Sequence, residues 1–79
     1  MIEIDLVKAP PGQELEVIEL EAGMDARKRL ISMGIHTGDK LVKLTASMWG
    51  PVLVQNVTLH SSKIAIGKRL ASKILVGYE

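Results

Sequence analysis

The spacing of apolar residues changes period several times along this chain, and each change marks an element. In Glu14–Ala22 (ELEVIELEA), Leu15 and Val17 alternate with Glu14 and Glu16. Ile18 and Leu20 then take the opposite parity. Alternation with period two predicts a strand, and the slip predicts a bulge or strong twist within it. The segment follows APPG, Ala9 to Gly12. There Pro11 presets φ for the second position of a type II turn, and Gly12 permits the positive φ needed at the third.

From Gly23 to Gly34 (GMDARKRLISMG) the pattern becomes helical. Ala26, Leu30 and Met33 share one face at i, i+4 and i+7, while Arg27, Lys28 and Arg29 are mostly on the other. Leu30 and Met33 are therefore expected in the core. Asp25 is placed to cap the helix start. Gly34 predicts a Schellman stop, with glycine at C′ and Ile35 folding back onto Leu30. A second turn follows at HTGD, with Gly38 at the position where type II geometry favours glycine.

Beyond it, Lys40–Ser47 (KLVKLTAS) predicts a strand with Val42, Leu44 and Ala46 on one face. MWGP predicts a turn, VLVQNVTL from Val52 a strand, HSSK a hairpin loop and IAIG a short strand. KRLASK has room for one helical turn, and ILVGY closes the chain as a strand. The expected fold is mainly β, a small SH3-like five-stranded barrel. One short helix follows its first strand and a single helical turn precedes its last.

Composition narrows the chemistry. The chain has 79 residues, taken as a single domain over 1–79, which at this size buries only about 60% of its unfolded surface. With no Phe and an aromatic share of 3%, aliphatic residues must fill the core. The absence of cysteine removes disulfides, thiolate metal sites and thiol nucleophiles. Ten Lys and Arg against nine Asp and Glu give a net charge of +1, which argues against a dedicated nucleic-acid binder. The start carries Glu3 and Asp5 and lacks the basic and apolar regions of a signal peptide, and no run of residues is long and apolar enough to span a bilayer. The expectation is a cytoplasmic protein without membrane insertion.

There is no phosphate-binding GxxxxGK[ST] loop, and His60 beside Ser61 and Ser62 has no marked orienting carboxylate. No enzymatic role and no cofactor are expected. His36 and His60 stand in separate loops without metal-ligand spacing, and are read as turn residues rather than ligands; Asp25, Asp39 and Glu79 are the carboxylates that folding could bring to them. Two features suit a protein partner. Arg27, Lys28 and Arg29 form a basic run, either a solvated face or a docking surface for an acidic patch. Met48 and Trp49 lie between two strands, with Trp49 either a partner anchor or a lid over one end of the barrel.

Several of these segments together resemble the ferrous iron transport protein A family, FeoA. PPGQELEVIELEAG, RKRLISMGIHTGDKL, GPVLV and KIAIGKRLASKILV follow one another in the family's order, from about Asp5 to Val76. The most specific part is Leu30, Met33, Gly34, Ile35 and Gly38, with Ile64, Ala65, Ile66, Ala71 and Ile74 agreeing independently. HSSK stands where many relatives carry glycine before Ile-Ala-Ile. The same domain forms the carboxy-terminal part of some metal-dependent repressors, whose DNA-binding helices have no room in this chain. The resemblance implies an SH3-like barrel that assists the membrane ferrous iron transporter FeoB at its cytosolic GTP-binding part. Alternatives on the residues alone are a peptide-binding SH3-like module, poor in groove aromatics with only Trp49 and Tyr78, and a soluble sensor that binds metal through His36 or His60.

Overall fold

The computed structural model describes residues 1–45 and 49–79. It contains β1 (Ile2–Asp5), β2 (Glu14–Leu20), α1 (Met24–Ser32), β3 (Lys40–Lys43), β4 (Val52–Asn56), β5 (Lys63–Ile66), α2 (Lys68–Ala71) and β6 (Ile74–Tyr78). All six strands join one antiparallel sheet in the order β1-β6-β2-β3-β4-β5. A flat sheet of six strands would leave one face to solvent. Here inward residues from β2 (Val17), β4 (Val54), β5 (Ile66) and β6 (Ile74) enter one core with Leu30 of α1 and Leu70 of α2. The sheet therefore coils around that core into an SH3-like barrel, with β1 and β5 at its two edges rather than closed on each other.

The strand over Ile2–Asp5 is additional to the five read from the sequence. It is too short to announce itself by periodicity, and it exists by pairing with the far end of the chain, Ile2 opposite Tyr78 and Asp5 opposite Leu75. The expected slip in β2 is a bulge. Val17 pairs with Val76 and Glu19 with Leu75, so Ile18 is the extra residue. Leu15 and Val17 on one side of it and Leu20 on the other all turn into the core.

Helix α1 buries the predicted face. Leu30 is fully buried, and Ala26 and Met33 pack against the core beside it. Its stop is a Schellman motif: Ile35 N donates to Leu30 O at 3.0 Å and Gly34 N to Ile31 O at 2.9 Å, with Gly34 at φ +93°. Its start differs from the expectation. Gly23 is the N-cap and no side chain caps the helix, while Asp25 sits inside the first turn. There its charge still meets the positive end of the helix dipole.

In β3 the faces are reversed. Leu41 and Lys43 point inward, Val42 is half-buried and Leu44 is exposed, while Ala46 lies outside the described residues. The cause is register. β3 offers aliphatic residues at both parities, but Leu15 on β2 pairs with Leu41, and directly opposed residues share a face. Lys43 is carried inward as a result. Its Nζ donates to Val7 O at 2.6 Å and Ala9 O at 2.9 Å, pinning the β1–β2 connection. Burial lowers its pKa below the ordinary lysine value, opposed by the charge of Asp5.

Candidate partner-binding surface

The basic run of α1 does not form one patch. Successive helical residues are turned by about 100°, so Arg27 and Arg29 stand on opposite flanks with Lys28 between them, all three exposed. Arg27 reaches toward β2, where its Nη2 donates to Leu20 O at 3.2 Å. It rims a cleft of about 500 Å³ whose apolar lining comes from Ile18, Leu20 and Ile31. The bulge creates that cleft, since it turns Leu20 inward while Ile18 stays half-buried at the surface. Arg29 faces the other way, into a cleft shared with α2.

Trp49 is 88% exposed, so it does not lie over the barrel end as a lid. It stands in the β3–β4 connection, where Gly50 takes φ +78°. Met48, read beside it as a second anchor, lies outside the described residues. The structure thus sets Trp49 on a hairpin and the three basic residues on a helix.

His36, itself exposed, joins a polar knot built on buried Asp39 and Asn56 that shapes the corner between α1 and β3. Asp39 Oδ2 accepts from His36 N at 3.0 Å and from Asn56 Nδ2 at 2.8 Å, and lies 3.1 Å from His36 Nδ1. Asn56 Nδ2 also donates to Gly34 O at 2.7 Å, and its Oδ1 accepts from Leu59 N at 3.2 Å. Burial pushes the Asp39 carboxyl up, but the bonds from Asn56 and His36 outweigh it and hold the group below the usual aspartate value. The knot ties the helix stop, the turn at Gly38 and strand β4 together. His60 takes φ +51° in the β4–β5 hairpin, the left-handed position there. Among the described residues no three His, Cys, Asp or Glu side chains gather as a metal site.

Comparison with known proteins shows the family to which the chain is similar. The FeoA domain family matches residues 4–77. This chain belongs to the FeoA family. A Methanocaldococcus jannaschii protein bearing the name Fe(2+) transport protein A is 44% identical over 71 residues, which is 90% of this chain and 82% of that protein. A crystal structure of an iron uptake regulatory protein, FeoA, superposes with a TM-score of 0.82 at 31% identity, covering 98% of this chain and 97% of the other. A manganese-dependent transcriptional repressor shares the fold at a TM-score of 0.83 and 20% identity; this chain covers 42% of its length.

The residues that carried the FeoA resemblance do structural work. Leu30, Gly34, Ile35 and Gly38 build the helix stop and the turn after it. They fix where α1 and its basic flanks stand, and are not themselves exposed docking groups: Leu30 and Ile35 are fully buried. The cations on and after α2 were not among the candidate residues. The signal was available in KRLASK, where Lys68, Arg69 and Lys73 cluster, but only the fold brings them to Arg29.

Proposed function

We propose that this FeoA-family chain is an accessory protein of ferrous iron uptake that acts by docking on the cytosolic GTP-binding part of the membrane transporter FeoB. The observation that carries the reading is the FeoA match across residues 4–77, supported by the named relative at 44% identity. Trp49, exposed on its hairpin, and Arg27, Lys28 and Arg29 on α1 supply the contacts. A tryptophan that gains cover only in a complex is a common hot spot, and basic residues speed and orient encounter with an acidic face. The contacts offered by these exposed residues suit a role exercised through binding a partner. To alter transport it must bind two transporter states unequally; a tenfold preference corresponds to about 1.4 kcal/mol.

The test is a binding titration of the folded chain against the soluble cytosolic part of the transporter, with GDP, with a GTP analogue and without nucleotide. Binding whose affinity depends on the nucleotide supports the reading. Absence of binding in every state overturns it.

A further inference from the structure

The two helices enclose a second cleft, of about 330 Å³, on the flank of α1 that carries Arg29. Its floor is aliphatic, made by half-buried Ala26 and by Leu70, which is 8% exposed. Its walls are cationic. Arg29 comes from α1, Lys68 and Arg69 from α2, and Lys73 from the residues leading into β6. Among the described residues, no carboxylate lines the cleft. Among the described residues, none of the ion pairs involves Arg29, Arg69 or Lys73. In a chain whose net charge is only +1, four of ten Lys and Arg residues surround this one depression. The like charges of Arg29, Arg69 and Lys73 repel one another, and an anionic occupant would offset that repulsion.

We propose that this cleft receives an acidic peptide segment of a protein partner. An aliphatic side chain of the segment seats on Ala26 and Leu70, and its flanking carboxylates meet Arg29, Lys68, Arg69 and Lys73. Charge complementarity sets the sign of the ligand. The aliphatic floor selects a peptide over a bare anion, which would leave that floor uncovered. The concave shape favours an inserted segment over a flat lipid surface. The two guanidinium groups can each donate a parallel pair of hydrogen bonds to a carboxylate, which fixes the orientation of the segment. The inference rests on the reading of this chain as a docking module and names the ligand class of one of its surfaces.

The test titrates the peptide acetyl-Glu-Glu-Leu-Glu-Glu-amide into the 15N-labelled full chain. Amide shifts should concentrate at Ala26, Arg29 and residues 68 to 73, and should weaken as salt is raised. The double variant Arg69→Glu, Lys73→Glu should bind about tenfold more weakly with an unchanged melting temperature. Replacing the peptide leucine by glycine should also weaken binding several-fold. The proposal is overturned if the cleft amides do not move or if the glycine peptide binds equally. It is also overturned if inorganic phosphate or phosphatidylglycerol vesicles bind the cleft while the peptide does not. Equal binding of the transporter's cytosolic part to wild type and double variant would retire this cleft and leave the transporter reading intact. Peptide binding in the cleft without any transporter binding would do the reverse.

Discussion

Two residues show how much a single polar or strained position decides here. Asp39 is a nearly buried carboxylate held by donors from His36 and Asn56, so its ionised form belongs to the folded state. Its pKa is lowered on folding, and the unfolded chain therefore binds more protons in acid. Its contribution is complete above about 3.9, the unfolded aspartate value, and is lost as pH falls through the lower folded value. Asp39→Asn should destabilise by about 1–3 kcal/mol at neutral pH. Urea titrations at a series of pH values should show that difference shrinking in acid; a constant difference would mean that the charge is not what the knot uses. His60 presents the opposite case. An L-residue in the left-handed region pays about 1–2 kcal/mol, which glycine avoids at some cost in unfolded-state entropy. His60→Gly should leave stability unchanged or raise it by up to about 1 kcal/mol in thermal unfolding.

At the scale of elements, the stop of α1 governs the corner on which the docking residues stand. Nothing lies within 4 Å of a Cβ built on Gly34, so substitution there meets no clash and its penalty is purely conformational. The expected order is informative for that reason. Gly34→Asn should be mildest, Gly34→Ala should cost about 1 kcal/mol, and Gly34→Val more, because a branched side chain tolerates positive φ least. Equal losses in all three by chemical denaturation would point to packing instead of backbone geometry. The elements also mark where local pattern stops being informative. The helix face, the bulge at Ile18 and the turns at Gly12, Gly34 and Gly38 were legible because each is set within a few residues. The inward face of β3 was not, because Leu15 on another strand chooses between two nearly equal patterns.

Across the whole molecule, the even charge balance conceals a separation. Glu14, Glu16, Glu19 and Glu21 lie along and just beyond β2, whereas six of the ten Lys and Arg residues stand on α1 and around α2, and Glu19 meets Arg27 at the rim of the first cleft. A chain arranged this way can orient toward a charged partner without a large net charge. Trp49 separates folding from function at this scale. At 88% exposure it contributes little to the core, so Trp49→Ala should leave the melting temperature within a degree or two. Binding to the transporter's cytosolic part should fall by about tenfold or more if Trp49 is an anchor. Unchanged affinity would remove it from the interface. Of the candidate surface, its residue types were visible in the sequence. Its geometry was not, since Arg27 and Arg29 part company around the helix and Arg29 joins cations some forty residues later in the chain.

By itself the sequence determined whatever depends on neighbours: a helix face of period 3.6, a strand that slips parity, glycines where φ must be positive, and the family resemblance those features carry. Only the tertiary structure decided what depends on distant partners. It paired Ile2–Asp5 with the last strand, turned Lys43 inward onto the Val7 and Ala9 carbonyls, joined Asp39 to Asn56, and brought α1 and α2 to the two sides of one cleft. Those outcomes rest on register and on hydrogen bonds closed across long loops, which no local period can encode.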